Sequence, residues 1–489
     1  MNLPIVVDKL AGMSLQDQLS EQLRRFIEDG ALASGTRVPT SRELARRVGI
    51  SRNTVTLAYE RLIGEGYLQT RPASGTFVSD VLPGGEDGVA SPSQQAGASE
   101  VPRRPVVFRG PVLQRTGRRP EIDFKLGVAD PSVFPTREWR RHVLSVLDHH
   151  GGRLGHAPPA AGEPKLRHAI ARWLGEHRGI ACSAEDVLVV AGCQQAYNIA
   201  AQLLLRPGDG VVVEAPCHMG AAHVFEAMGA TLLPVPVDEH GIRVAHLPAT
   251  AALAYITPSH QNPVGGTLPL DRREQLLAWA RGCGCYLVED DVGCEFHYDG
   301  WQPPALRVLD RDGLVIYCGS FSLTLGPGLR LGYMVLPPEL AATAVAAKIL
   351  LDNGSPWLEQ AALANLMEAG SFARHVTRIR TLFHERRNRL IAGLRRRFGE
   401  VELTGTEAGA HLGWWLPEAF PDAAAIRDAA MSRGIGVHVA PSSSFDQAAD
   451  HRFLCRTLYL GYAALPVDRI EPALERLGSV VDGLVGTRA

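Results

Sequence analysis

The 489-residue sequence predicts two folded units of different class: a small helical unit closed by a β-hairpin, and a large α/β unit built on a mainly parallel sheet. Three observations carry this expectation. Apolar residues recur at helical spacing in three stretches before residue 66, and two short β-prone runs follow them. Residues 81–120 lose that periodicity and become rich in Gly, Pro, Ser and Gln, so they cannot bury enough surface to offset their ordering entropy. From residue 121 onward, apolar strand-like runs alternate with helical segments. The expected organisation is a unit over 10–80, a flexible linker over 81–120 and a large unit over 121–489.

With 45% hydrophobic and 21% charged residues, the composition is that of a soluble globular protein. A formal charge of −2 gives no global attraction to nucleic acid, so any basic surface must be local. The N-terminus lacks a basic stretch leading into an apolar run, and no window of about 18 apolar residues occurs. Both argue against secretion and membrane spanning, and the expected location is the cytoplasm. The eight cysteines follow no disulfide-framework or zinc-ribbon spacing, which favours reduced and mostly buried thiols.

In the small unit, Leu15, Leu19, Leu23, Phe26 and Ile27 place an amphipathic helix over 14–29. "TSRELARRVG" follows, with Thr40 and Glu43 spaced as a capping box, Leu44, Ala45 and Val48 on one side, and Gly49 as the stop. A third helix starts at the cap candidate Ser51 and is expected to bury Val55, Ala58, Leu62 and Ile63. Runs over 67–71 and 76–79 then flank the turn residues "PASG". Three helices with a tight turn between the second and third, closed by a hairpin, describe a winged helix-turn-helix. The third helix presents Arg52, Asn53, Thr54 and Thr56 at its N-terminal end, where such a helix meets base edges and its dipole favours phosphate. Between residues 40 and 72, six Arg (42, 46, 47, 52, 61 and 71) stand against Glu43, Glu60 and Glu65, a local excess expected on the docking face. A helical protein-interaction module is the alternative, and DNA binding is the better reading. Linker residues Arg103, Arg104, Arg109, Arg115, Arg118 and Arg119 could add phosphate contacts.

The stretch from "LSEQLRRFIEDG" through "TSRELARRVGISRNTVTLAYERLIGEGYLQTRPASGTFV" resembles the DNA-binding domain of GntR-type bacterial regulators along its whole length. The resemblance implies that Arg42, Arg52, Thr54 and Thr56 contact operator DNA and that Gly75 lies at the tip of the wing.

In the large unit, ligands are expected at the carboxyl ends of the strands. "AGCQQA" puts Gly192, Cys193 and Gln194 at a helix start, where free N–H groups make an anion site. "VEDDVGCEF" puts Glu289, Asp290 and Asp291 at another strand end, readable as a surface cluster, metal ligands or a partner for a cationic ring nitrogen. "TPSHQNPVG" offers His260 and Asn262, and "GSFSLTLGPGLRLGY" supplies Ser320, Ser322, Thr324 and Arg330 as anion partners. Cys193, Cys217, His218, Cys294 and His297 enrich the expected pocket in soft ligands, but none shows a CxxC spacing.

In this order and spacing the clusters resemble fold-type I aminotransferases, which bind pyridoxal phosphate. With the first unit, the whole layout resembles the MocR subfamily of GntR-type regulators. The resemblance implies a large domain with a smaller α+β C-terminal lobe and a homodimer. It also implies that Cys193, Gln194, Ser320, Ser322 and Arg330 match the phosphate site, Asp290 the partner of the pyridinium nitrogen, and Asn262 the partner of the ring hydroxyl. Three positions depart from the pattern: Leu323 stands at the Schiff-base lysine, Val292 at a tyrosine that contacts the ring hydroxyl, and His218 at an aromatic residue that stacks on the ring. Tyr459 stands where relatives commonly carry arginine.

Leucine has no lone pair, so it can neither form the internal imine nor shuttle the proton that transamination requires. Lys125 and Lys165 are the only lysines from 121 to 340, and neither lies on a matching strand end. The expected protein is therefore a cytoplasmic transcription factor without catalytic residues or metal. Its aminotransferase-like domain dimerises and senses a small-molecule effector, with pyridoxal phosphate or a related ligand held, if at all, without a covalent bond. Its rivals are a pyridoxal-phosphate enzyme with a DNA-binding appendage and an effector-independent repressor dimer.

Overall fold

A computed structural model describes residues 5, 7, 14–28, 32, 35–71, 75–79, 120–440 and 448–486, and the chain folds as two compact units, Met1–Val106 and Val107–Ala489. The expected linker with its six arginines, and residues 72–74 of the hairpin turn, lie outside the described residues.

The first unit consists of α1 (Leu15–Glu28), α2 (Ser41–Val48), α3 (Arg52–Gly64) and an antiparallel hairpin of β1 (Leu68–Arg71) and β2 (Gly75–Val78). The N-cap residues are those the sequence signals, although of the expected Thr40–Glu43 capping box the structure gives only the Thr40 half. Thr40 Oγ1 accepts from the N–H of Glu43 at 3.3 Å and Ser51 Oγ from that of Thr54 at 3.0 Å, each satisfying a donor that the helix leaves open. Gly49, at φ 71°, closes α2 by donating its N–H to Ala45 O. Leu19, Leu23, Ile27, Leu44, Val55, Ala58 and Leu62 fill the core. The expectation for Ile63 is wrong: it is 37% exposed, and Tyr59 turns inward instead, donating its hydroxyl to Pro39 O at 2.8 Å. Positions 55, 58, 59 and 62 form one stripe of α3, and 63 falls at its edge.

The second unit holds β3 (Ile122–Asp123), β4 (Val187–Val190), β5 (Gly210–Ala215), β6 (Thr231–Asp238), β7 (Gly241–Ile242), β8 (Leu253–Ile256), β9 (Tyr286–Asp290), β10 (Val315–Ser320), β11 (Gly332–Val335), β12 (Glu402–Thr404), β13 (His411–Trp415), β14 (Ile435–Gly436) and β15 (Thr457–Gly461). Eight of these form one sheet in the order β4-β11-β10-β9-β8-β5-β6-β7, parallel except where β11 and β7 run against their neighbours. Helices cover both faces, so the strands are apolar throughout, as in "VLVV" of β4 at one edge and "LAYI" of β8 in the middle. β6 escaped the sequence pattern because Pro234 and Pro236 interrupt it. Residues 231–236 pair only with β5, and proline is tolerated on such an unpaired side.

A smaller lobe carries the antiparallel sheet β12-β13-β15, and β3 pairs in parallel with β14 beside it. The helix Ser371–Phe398 links the two lobes: Phe372 and Val376 lie in a core with Tyr317 and Tyr333 of the large sheet, whereas Ile379, Phe383, Leu390 and Leu394 lie in the small-lobe core. Among the described residues no helix is long and apolar enough to cross a membrane.

The same helix places Arg386 in the interior, where it donates to Asp130 Oδ2 and to Ala463 O, each at 2.5 Å. Burial opposes the charge of Asp130, yet hydrogen bonds from Ser132 and Arg386 outweigh it and hold the carboxyl below the usual range. Asp130→Ala leaves a buried guanidinium without its partner and should cost about 3 kcal/mol in urea denaturation at pH 7. Because the folded pKa is depressed, this contribution is complete above the unfolded value of about 3.9 and fades as pH falls through the folded one. The difference between wild type and variant should therefore shrink in acid.

Candidate functional site

Three consecutive acids end β9, and all are buried, which excludes a surface cluster: Glu289 is 0%, Asp290 9% and Asp291 2% exposed. Alternation along the strand sends them to different neighbours. Glu289 accepts from the N–H groups of Leu306 and Arg307 at 2.8 and 2.9 Å. Asp291 accepts from Arg178 Nε and from the Tyr317 hydroxyl, both at 2.8 Å. Burial works against the charge of Asp291, but the Arg178 guanidinium prevails and keeps its carboxyl below the ordinary range. Asp290 Oδ2 accepts two phenol hydroxyls, from Tyr197 at 2.5 Å and Tyr255 at 2.6 Å.

Asp290 lies at one end of a polar cluster on the carboxyl edge of the sheet. Tyr197 is one helical turn after Cys193 in the helix Cys193–Leu204, so the helix that carries the Asp290 partner also aims its first N–H groups at the edge. Gly192 precedes that helix at φ 86°, and a Cβ there would meet the Arg330 guanidinium at 3.3 Å. Arg330 is itself left-handed, at φ 53°, a strained conformation for a side-chain-bearing residue, and donates to Ala191 O. Close approach makes this turn fit: a Cβ on Gly332 would fall 3.0 Å from both Gly192 Cα and Gly319 O. Ser320 Oγ donates to Ser322 Oγ at 2.9 Å and accepts from the Ser322 N–H at 3.1 Å. Cys193 Sγ lies 3.8 Å from Gly319 O, and burial, then the Asp290 charge, pushes its thiol well up, so it stays protonated.

Gln194 and His218 border the same edge. Gln194 Nε2 donates to Gly220 O at 2.8 Å, and the His218 ring meets Tyr197 edge-on at 6.2 Å. Asn262 sits in the loop after β8, with its N–H on Thr257 Oγ1 at 3.2 Å. Its neighbour His260 reaches His411 of the small lobe, ring nitrogens 3.3 Å apart. Val292 and Leu323 form an apolar border: Leu323 is 6% exposed in the small-lobe core, and a Cβ on Gly293 would sit 3.1 Å from its Cδ1. Tyr459 is fully buried in β15 with its hydroxyl on Phe453 O at 2.9 Å.

The set of soft ligands does not assemble as expected. Cys193, Cys217 and His218 lie on the Asp290 side, whereas Cys294 and His297 line a separate cavity with Arg178 and Tyr333. The Val292 N–H still donates to Asp290 Oδ1 at 3.3 Å, but Cys294 and His297 turn away to the other cavity, which the loop sequence alone does not reveal. Among the described residues no group of three His, Cys, Asp or Glu is placed to hold a metal ion. Sequence reasoning also missed Tyr197 and Tyr255; the spacing of four from Cys193 was the available signal for the first.

In the small unit, Arg42, Ser51, Arg52 and Asn53 are exposed and Thr54 and Thr56 half-buried. Ser51 and Thr54 share a hydrogen bond at 2.8 Å, and Thr56 Oγ1 donates to Arg52 O at 3.0 Å, which leaves oxygen lone pairs for an outside donor. A groove joins Thr56 of α3 to Gly75 and Thr76 of the hairpin, with Arg37 and Ser41 on its walls. Gly75, at φ 113°, opens β2, and a Cβ there would come 3.0 Å from Arg37 Nε. Arg37 was overlooked because it precedes the helical pattern. Arg61, counted with the docking face, is instead tied to Asp17 and Glu65, the latter at 2.8 Å, so it belongs to the packing of α1 on α3.

Comparison with known proteins agrees with both units. Residues 121–457 match the family model "Aminotransferase class I and II", and residues 15–78 match "Bacterial regulatory proteins, gntR family". The chain is 34% identical to the probable rhizopine catabolism regulatory protein MocR of Rhizobium meliloti over 446 residues, 90% of this chain and 88% of that one. It is also 34% identical to the HTH-type transcriptional regulator TauR of Rhodobacter capsulatus, over 94% of this chain and 96% of that one. Among solved structures it resembles LysN, an α-aminoadipate aminotransferase of Thermus thermophilus complexed with N-(5'-phosphopyridoxyl)-L-leucine. That match has a TM-score of 0.68 at 30% identity and covers 75% of this chain and 93% of LysN.

The two phenols are what make a buried Asp290 carboxylate tolerable. Replacing Tyr197 and Tyr255 together by Phe should cost about 3 kcal/mol, at about 1.5–3 kcal/mol for each hydrogen bond to a charged group, less for relaxation around the carboxylate. Urea denaturation measures it. Each single variant should lose less than half of that total, because the remaining phenol still serves Oδ2.

Proposed function

Because this chain belongs to the MocR-type GntR regulators, in which a winged helix-turn-helix is fused to a fold-type I aminotransferase domain, we propose that it is a DNA-binding transcriptional regulator whose large domain senses a small molecule without catalysing transamination. The observation that carries this reading is Leu323: at the position that matches the Schiff-base lysine, the side chain is a hydrocarbon packed against Gly293. The other described lysines of the large unit offer no substitute. Lys348 is fully buried, with its ammonium on Asp352 at 2.7 Å, Ser355 at 2.9 Å and Gln195 at 3.3 Å. Tyr459 stands at the position where relatives commonly carry arginine, with its hydroxyl on Phe453 O at 2.9 Å.

The remaining donors suit a phosphorylated pyridine held without a covalent bond. The N-terminus of the helix Cys193–Leu204, Ser320, Ser322 and Arg330 would take the phosphate. Asp290 would take a protonated ring nitrogen and Asn262 a ring hydroxyl. When bound covalently to a lysine, such a cofactor acts as an electron sink in amino-group chemistry; here the residues would only bind and orient it. Val292 and Leu323 keep the border of that cleft apolar, and His218 closes its outer side.

Operator contact is assigned to Arg42, Ser51, Arg52, Asn53, Thr54 and Thr56 of the helix-turn-helix, with Gly75 and the hairpin beside them. A homodimer supplies two such units for two half-sites. Leu350, 87% exposed at the end of the helix Pro338–Asp352, with Ile349 and Leu351 beside it, is an apolar surface of the kind a partner subunit covers. The regulator acts in the cytoplasm, where its operator is.

Two outcomes test this reading. Arg52→Ala should weaken operator binding by about 1–3 kcal/mol in a fluorescence-anisotropy titration if the side chain reads a base, and an unchanged affinity refutes that role. Wild-type protein mixed with pyridoxal phosphate should give no visible imine band that borohydride traps on a lysine, whereas Leu323→Lys should give one. Trapping on a lysine of the wild type would make the protein a covalent pyridoxal-phosphate binder and overturn the proposal.

A further inference from the structure

A second cavity, of about 580 Å³, lies on the face of the large sheet opposite Asp290. Strand alternation separates the two: Cys318 and Val288 pack on the Asp290 side, Tyr317 and Tyr333 on the other. One wall comes from the helix Pro164–Arg178, with Trp173 and His177 stacked at 3.6 Å. The opposite wall is the helix Ser371–Phe398, which contributes Val376, Thr377, Arg380 and His384 along one face. Those positions straddle the point where this helix leaves the large-lobe core at Val376 and enters the small-lobe core at Ile379. The loop 294–302 closes the third side and pairs with the small lobe through His297 and Ala408. The cavity is thus walled by both lobes at their junction, and its volume falls in the range of small-molecule sites.

Its polar groups are specific. His297 is 8% exposed, and its Nε2 has no hydrogen-bond partner. Burial lowers the pKa of this imidazole, and a hydrogen bond to the Gly300 backbone engages the ring, so the neutral Nε2 is left as an acceptor. A buried acceptor without a donor costs free energy that a bound hydroxyl or amine recovers. Arg178 is neutralised by Asp291 and also donates to Pro303 O and Ser259 Oγ, so it has no charge to spare for a ligand. Arg380 is the cation of the cavity that is free of a carboxylate in the described contacts, with one of its N–H groups on His297 O. Glu295 is pushed up to about 7 by burial, which reduces its opposition to an anion there. The rest of the lining is aromatic or aliphatic: Trp173, Tyr298, Tyr333, Leu174 and Val376.

We propose that this cavity is a regulatory site, separate from the Asp290 cleft, for a small aromatic carboxylate that carries a hydroxyl or amino group. The ring lies among Trp173, Tyr333 and Val376, the carboxylate pairs with Arg380, and the hydroxyl or amine donates to His297 Nε2. Contacting both walls, such a ligand ties the lobes together at the helix that joins them and favours one lobe arrangement over others. The proposal deepens the sensor reading above by naming a ligand class and a second place for it.

The full-length protein tests it by isothermal titration with 4-hydroxybenzoate, 4-aminobenzoate and benzoate, and by tryptophan fluorescence as a second signal. The two substituted acids should bind, and benzoate, which lacks the donor, should bind at least tenfold more weakly. Arg380→Gln should weaken 4-hydroxybenzoate at least tenfold, and Thr377→Phe, which fills the cavity from the helix wall, should abolish binding; far-ultraviolet circular dichroism checks that both variants fold. Excess pyridoxal phosphate, which is directed to the other cleft, should leave the affinity unchanged. No binding of any probe at millimolar concentration, which corresponds to about −4 kcal/mol or weaker, overturns the proposal. So does binding that excess pyridoxal phosphate abolishes while Arg380→Gln spares it. Operator binding in anisotropy is the separate readout that would fail if the regulator reading itself were wrong.

Discussion

Three adjacent carboxylates buried at the end of one strand organise the large unit. A charge removed from water is tolerated only where it is paired and hydrogen-bonded, and Glu289, Asp290 and Asp291 draw their donors from different directions. Glu289 fixes the start of the short helix Leu306–Leu309 through two backbone N–H groups. Asp290 fixes the helix Cys193–Leu204 through Tyr197 and the neighbouring strand through Tyr255. Asp291 anchors the end of the helix Pro164–Arg178 through Arg178. One short run of sequence thereby sets the positions of both clefts, one on each face of the sheet.

The same arrangement is compatible with the proposed role, in which an enzyme-like frame would bind a ligand without catalysing. A phosphate cradle needs only backbone donors, hydroxyls and a guanidinium in fixed places, and Gly192, Gly319 and Gly332 allow the close approach that holds them. Covalent chemistry needs one amine more. With Leu323 and Val292 packed into the small-lobe core, the border of the cleft contributes packing where an aminotransferase would need reactivity. On the proposed reading the recognition elements and the reactive one are separable, and an apolar residue at the reactive position would leave the recognition geometry in place.

Binding in the large unit can bear on the small unit only if it favours one arrangement of the protein over another. The helix Ser371–Phe398 contributes side chains to both cores, and Arg386 within it is held by Asp130 and Ala463. A continuous helix with ends in two cores transmits a change in one lobe to the other as a rigid movement. The contact of His260 with His411 adds a second link between the lobes.

Local rules determined much of this protein from sequence alone. Capping by Thr40 and Ser51, the stop at Gly49, and the alternation of apolar runs with helical periods depend on residues within a few positions of each other, and each stands in the structure as read. So does the gathering of Cys193, Ser320 and Arg330 at one edge of the sheet: Cys193 follows the end of β4 and Ser320 ends β10, whereas Arg330 leads into the antiparallel β11, which starts at that edge. Tertiary packing decided the rest. Which of three successive acids faces the cleft, that Tyr197 and Tyr255 serve Asp290, that Arg61 reaches Asp17, and that Cys294 and His297 open onto the opposite face all depend on partners distant in sequence. A buried charge takes the donor that three-dimensional packing brings to it, and no local pattern in the chain specifies which donor that is.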